Sequence, residues 1–114
     1  MALPNATKQA AADGVKGIAT GPWVSLHTAD PGTTGANEAT GAPYARVQAT
    51  WVSGTTGVLT AALVSVPAPA GTYTHGGLWT ASSGGTFIGG NALSPSVTLG
   101  GPGSINVTPS YTQS

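Results

Sequence analysis

Residues 58–93 read VLTAALVSVPAPAGTYTHGGLWTASSGGTFIGGNAL, and this stretch decides the fold class. From Val58 to Val66 the two alternating faces are Val58, Thr60, Ala62, Val64, Val66 and Leu59, Ala61, Leu63, Ser65. Both are largely apolar, which predicts a single strand covered on both sides, near the centre of a core. Pro67, Pro69 and Gly71 are read as its end. Thr72 to Thr80 alternates afresh, with Tyr73, His75, Gly77 and Trp79 opposed to Thr74, Gly76 and Leu78. Gly84-Gly85 then turns the chain into Thr86–Leu93. Short strands separated by Gly and Pro punctuation are the pattern of an all-β chain.

The reading extends in both directions. Downstream, Pro95 begins a short segment through Leu99, and Gly100-Gly101-Pro102-Gly103 turns into strands carrying Ile105, Val107 and Tyr111. Upstream, Tyr44–Trp51 alternates, placing Ala45, Val47, Ala49 and Trp51 on one face and Tyr44, Arg46, Gln48 and Thr50 on the other, a half-solvated strand. Thr28–Pro43 holds three Gly and two Pro with neither period, so it is a long surface loop. Trp23–His27 is the first strand, with Trp23, Ser25 and His27 opposed to Val24 and Leu26. Leu3–Ala19 is the only predicted helix, capped by Asn5, with Ala11, Val15 and Ile18 at i, i+4 and i+7. Gly14 and Gly17 each cost up to about 1 kcal/mol against Ala, so this helix needs a surface to dock on. The sum is seven or so strands at roughly 8 to 12 residue spacing. The predicted fold is all-β, a β-sandwich of jelly-roll type with one short N-terminal helix. Its organisation is an N-terminal helical segment (1–20) and a single β-sandwich domain (21–114).

The chain has 114 residues, of which six are charged, against about 28 in an average soluble domain of this size. Lys8, Lys16 and Arg46 balance Asp13, Asp30 and Glu38, so there is no field to attract a phosphate backbone or an anionic membrane. Nucleic acid and membrane are therefore excluded as electrostatic partners. Without cysteine there is no disulfide, thiolate nucleophile or Cys-type zinc site. No apolar run approaches the roughly 18 to 20 residues of a transmembrane helix. Met1–Thr20 lacks a secretory pattern, so the mature chain is expected to begin at or near Met1.

Catalytic chemistry has few places to reside. His27 and His75 are the two histidines. Ser25, His27 and Asp30 supply the residue types of a nucleophilic triad, but no glycine-flanked elbow exposes the serine. The alternative is that His27 closes a strand and bonds to the turn that Asp30 and Pro31 open. His27, Asp30, Glu38 and His75 form a metal set on paper, at a spacing that matches no metal motif; ion pairs bracing the loop are the favoured reading. Three acids, one of them on the helix, make a poor glycosidase pair. The Gly-Gly pairs lack the helix and lysine of a phosphate loop. Three Trp and three Tyr could stack on sugars, although Trp51 and Trp79 read as core. Trp23 and Tyr44 remain as interface or glycan contacts. The expectation is no enzyme, no cofactor and no metal.

So little charge weakens self-repulsion, and sheet edges rich in Thr, Ser and Gly lack the lysines that normally prevent edge pairing. The physical expectation is a chain that assembles with its own copies.

Particular words of the sequence carry a resemblance. Val24-Ser25-Leu26-His27-Thr28-Ala29-Asp30-Pro31-Gly32, containing the block SLHTADPG, is followed by Thr34-Gly35-Ala36-Asn37-Glu38 and Tyr44-Ala45-Arg46. Gly71 to Trp79 and Ala92-Leu93-Ser94-Pro95 complete the set. Together they resemble a family of small tailed-bacteriophage virion structural proteins, described as minor tail, tail-fibre-like, and head decoration or head-spike proteins. The resemblance implies a virion component assembled in the host cytoplasm, associated with other phage virion proteins. The leading expectation is a minor tail or tail-tip protein forming a homotrimer. A capsid decoration or head-spike protein is the runner-up, and a module binding host cell-wall glycan is the alternative of another class. Within this frame Arg46, the only arginine, is expected to pair with Asp30 or Glu38 and, with His27, to brace the long loop.

Overall fold

The computed structural model describes residues 4–17 and 21–113. Among these residues helix α1 (Asn5–Gly17) precedes nine strands: β1 (Trp23–His27), β2 (Val47–Gln48), β3 (Trp51–Ser53), β4 (Val58–Ala61), β5 (Val64–Ala68), β6 (Gly71–Trp79), β7 (Phe87–Leu99), β8 (Gly103–Val107) and β9 (Ser110–Thr112). They form three antiparallel sheets, of order β2-β1-β6-β7, β3-β4-β9 and β5-β8, and none closes into a barrel. The chain is thus mostly β with one short helix. Its dimensions are 46 × 25 × 22 Å.

The core lies between the sheets. Val24 and Leu26 of β1, Leu59 of β4, Val66 of β5, Tyr73 of β6 and Ile105 of β8 are all buried in it. Strand β1 is covered on both faces, because the alternate side chains Ser25 and His27 are fully buried as well. Trp51 and Trp79 are both buried, at 9 % exposure.

Several expected elements divide where the sequence reading ran them together. The apolar run 58–66 supplies two strands, not one central strand. Leu59 and Ala61 fill one sheet, Val66 and Ala68 another, and between them Ala62 and Leu63 form an outward corner where Leu63 is 57 % exposed. Pro67 does not end β5. It pairs with Ser104, and in a two-stranded sheet the missing N–H faces away from any ladder. Residues 44–51 likewise divide: Val47–Gln48 joins β1, whereas Trp51–Ser53 joins β4. The crossing is pinned by the Pro22 carbonyl, which accepts from Ala49 N–H at 3.4 Å and Trp51 Nε1–H at 3.1 Å. Ala45 is exposed and shares no core face with Trp51. Conversely, Pro95 does not start a new segment, since β7 runs unbroken from Phe87 to Leu99. Pro95 falls where the β6–β7 register shifts between Tyr73 and His75, an irregularity on an edge strand that tolerates proline.

Helix α1 docks on β3 and β4 through a different face from the expected one. Ala11 is exposed, while Gln9 and Ala12 are buried and Val15 is partly so. Leu3, Ile18 and Ala19 lie outside the described residues. Pro4, not Asn5, closes the first turn, its carbonyl accepting from Lys8 N–H at 3.0 Å. Gln9 ties the helix to the β3–β4 hairpin: its Oε1 accepts from Gly57 N–H at 2.9 Å and Val58 N–H at 3.2 Å.

Candidate functional site: a sealed polar cluster under the long loop

Strand alternation puts Ser25 and His27 on one face of β1, two residues apart, and Ser25 Oγ lies 2.8 Å from His27 Nε2. The register aligns Trp23 with Trp79, Ser25 with Gly77, and His27 with His75. Gly77 leaves the space the pair occupies. A Cβ there would stand 2.7 Å from Ser25 Oγ, 2.8 Å from His27 Nε2 and 2.9 Å from Phe87 Cε1. Trp79 Nε1–H donates to Ser25 Oγ at 3.0 Å. Phe87 packs edge-to-face with both the His27 ring, at 5.9 Å, and the Trp79 ring, at 5.1 Å between centroids.

Hydrogen bonding fixes the tautomer of His27. Its Nδ1 faces the Ala36 carbonyl at 2.8 Å, and a carbonyl only accepts, so Nδ1 carries the proton. Nε2 then accepts from the Ser25 hydroxyl, which in turn accepts from Trp79. The chain of donors runs Trp79 to Ser25 to His27 to Ala36, with each buried polar atom satisfied. Burial holds the His27 pKa below its ordinary value, although the Ala36 carbonyl and the Glu38 charge act in the opposite direction. The ring is neutral in the fold.

Serine and histidine of the triad candidate therefore do meet, but Asp30 does not join them. Its Oδ1 accepts from Gly32 N–H at 2.8 Å, and its backbone carbonyl accepts from Asn37 Nδ2–H at 3.1 Å, so it serves the turn it opens. Ser25 and His27 are both fully buried, so the hydroxyl faces the protein interior and not a surface cleft. Of the paper metal set, His27 has both ring nitrogens engaged, Glu38 is engaged elsewhere, and His75 Nδ1 lies 2.8 Å from Thr74 Oγ1. Among the described residues no three His, Asp or Glu side chains converge.

The second half of the cluster straps the loop down. Arg46 engages Glu38, not Asp30, as a fork: Nε donates to Oε2 at 2.7 Å and Nη2 to Oε1 at 2.8 Å. Tyr44 donates its hydroxyl to Glu38 Oε2 at 2.6 Å and accepts from Leu26 N–H at 3.4 Å. Arg46 Nη1 also donates to the carbonyls of Ala81, at 3.0 Å, and Gly84, at 2.8 Å, and its guanidinium carbon lies 3.8 Å from the Trp79 ring centroid. One side chain thus joins the 28–43 loop to the β6–β7 turn across a buried indole. Burial alone would raise the Glu38 pKa, but hydrogen bonds from Arg46 and Tyr44, with the Arg46 charge, hold it below the usual value. Burial, and then the Glu38 carboxylate, push the Tyr44 phenol well up. Backbone bonds complete the strap: Ala39 N–H to Leu26 O at 2.9 Å, Thr28 N–H to Asn37 O at 3.0 Å, and a bridge between His27 and Glu38.

Trp23 is half-buried at the start of β1, and the half-buried Tyr44 has its hydroxyl engaged by Glu38. The sequence reading missed Trp79 as the donor and stacking partner, Gly77 as the space-maker, and the Ala36, Ala81 and Gly84 carbonyls. Backbone carbonyls leave no residue-type signal. The Gly77 role was legible only through its pairing with Ser25.

The cluster binds the protein to itself, and it defines the molecule as a small, nearly uncharged all-β structural domain. A family model described as "Podophage GP4 fiber I protein gp80" matches residues 5–110, and the chain belongs to that family. It is a bacteriophage structural protein of the tail-fibre kind, a component of the virion that associates with other virion proteins. No curated protein and no solved structure matches it.

Proposed function

We propose that this chain is a non-enzymatic tail component, a minor tail or tail-tip protein built into a phage fibre as a homo-oligomer of three copies, with its three sheets layered as a jelly-roll-type sandwich. The observation that carries the reading is the sealed Ser25–His27–Trp79 cluster. The residues best suited to catalysis are fully buried and hydrogen-bonded, and they hold a loop. Membership of a fibre family and six charges in 114 residues point the same way. In this reading His27, Asp30, Glu38 and Arg46 brace the loop, and Trp23 is left for contacts with neighbours. A capsid decoration or head-spike protein shares every physical property except place, and the fibre family favours the tail. Glycan contact has less support, because the hydroxyl of Tyr44 already serves Glu38. Gold-labelled antibody against the chain, imaged on intact particles, should mark the tail; label on the heads would replace this reading with the decoration one. Native mass measurement of the purified chain should give three copies.

A further inference from the structure

We propose that the outer edge of β7 between Phe87 and Leu93, together with the cleft beside it, is the surface on which a second copy of this chain binds. The inference rests on the homo-oligomer reading and names its interface. Strand β7 ends the four-stranded sheet, and among the described residues nothing pairs with its outer side. Within it, Ala92 N–H turns to Oδ1 of its neighbour Asn91 at 2.9 Å, a local substitute for a ladder bond. Exposed edges are ordinarily guarded by lysines or other charges. Here residues 47–114 contain no Asp, Glu, Lys or Arg at all. Pro95 has no N–H to offer a pairing strand in the far part of β7, which leaves Phe87–Leu93, a run of about 20 Å, as the open segment.

Alongside this segment lies a cleft of about 470 Å³. Gly76 and Gly89 help to floor it, and Leu78, Leu93, Val107 and Tyr111 line it. A Cβ added at Gly89 would meet nothing within 4 Å, so the space over β7 is open. Removing one large apolar side chain from a core leaves roughly 150 Å³, so the cleft has room for about three such side chains. A strand of six or seven residues presents about three on one face. The edge and the cleft therefore call for one object: an extended, uncharged segment that pairs along Phe87–Leu93 and turns its apolar face into the cleft. A charged partner would lose hydration there with no counter-charge to meet. A second copy meets the requirement, because its own last 68 residues carry no charge. A strip about 20 Å by about 10 Å is only a fraction of the ~800 Å² per partner of a standard interface, so filling the cleft is a necessary part of the contact.

The test compares wild type with Gly89→Phe, which fills the cleft from within the chain, and with Asn91→Lys, which charges the edge. Val52→Lys, on exposed β3, is the control. Native mass and sedimentation equilibrium should show self-association weakened at least tenfold by both β7 variants and unchanged by the control, with cooperative melting kept in all. Hydrogen exchange of amides 87–93 should slow with concentration in wild type only. Wild-type assembly surviving in both β7 variants would overturn the β7 assignment while leaving the homo-oligomer reading in place. A wild-type chain that stays a single copy would overturn both.

Discussion

Replacing Arg46 with Met removes one side chain that bonds to two separate segments and stacks on a buried indole. The forked bond to Glu38, the bonds to the Ala81 and Gly84 carbonyls and the stack on Trp79 all disappear, while most of the aliphatic stem is kept. A hydrogen bond to a charged group is worth about 1.5–3 kcal/mol net, and leaving one partner of a buried pair alone costs about 3–5 kcal/mol. Glu38 retains Tyr44 and some access to water, so the low end applies, and we expect a loss of about 2–3 kcal/mol. At ~4 °C per kcal/mol for a domain of this size, the melting midpoint should fall by ~8–12 °C by calorimetry. Limited proteolysis should show cleavage appearing in both 28–43 and 80–86, because Arg46 joins those segments. In a double-mutant cycle with Glu38→Gln the double variant should be less destabilised than the sum of the singles. An unchanged midpoint with unchanged proteolysis would falsify the bracing role.

Three further outcomes follow from the same geometry. Ser25→Ala leaves the buried Trp79 Nε1–H and His27 Nε2 without their partner, so stability should drop by about 2–3 kcal/mol in urea unfolding with no change in slope. Gly77→Ala should cost at least as much, since its Cβ meets three side-chain atoms within 3 Å, two of them on fully buried residues, and the sheet must shift; a neutral result would show that the cluster is loosely packed. The pH dependence has a defined sign: His27 is held below 6.5 in the fold, so the unfolded chain takes the proton first and stability should fall as pH drops below about 6.5. Glu38, held below 4.5, adds a second loss as pH falls beneath that value, and melts from pH 8 to 4 should show the first step abolished in His27→Asn.

How much of this was readable in the residues depends on the kind of signal. Strand β1 carries a clean alternation bounded by Gly21-Pro22 and the Asp30-Pro31 turn, and its ends are those expected. Strand β6 follows for the same reason, displaced by one residue at each end, Gly71–Trp79 against the expected Thr72–Thr80. The runs 44–51 and 58–66 fail because alternation reports burial and not which sheet does the burying. Leu59 and Val66 are equally apolar and lie in different sheets. Helix α1 fails in its docking face because its anchor is Gln9, a polar side chain that hydropathy places outside and backbone donors at Gly57 and Val58 draw in. In the cluster, the Arg46 and acidic residue types were visible, but the choice of Glu38 over Asp30 depends on the loop backbone, where Asn37 takes a left-handed φ of 62° just before Glu38.

The distribution of charge ties these results together. Glu38 and Arg46 neutralise each other within the fold, and Asp13 accepts from Ser53 and Gln9 where the helix docks. Half of the six charges therefore fasten one part of the chain to another. From Val47 onward the sheets present hydroxyls, glycines and small apolar groups, which give up little hydration when covered. Such a surface is poorly defended in dilute solution, where charge would normally discourage association. Within a particle the same property favours it, because copies can approach edge to edge without stripping water from an ion. Loop bracing by a few internal charges and the absence of charge on the later strands are thus two sides of one arrangement: the first keeps the 28–43 loop from exposing β1, and the second leaves the β7 edge available.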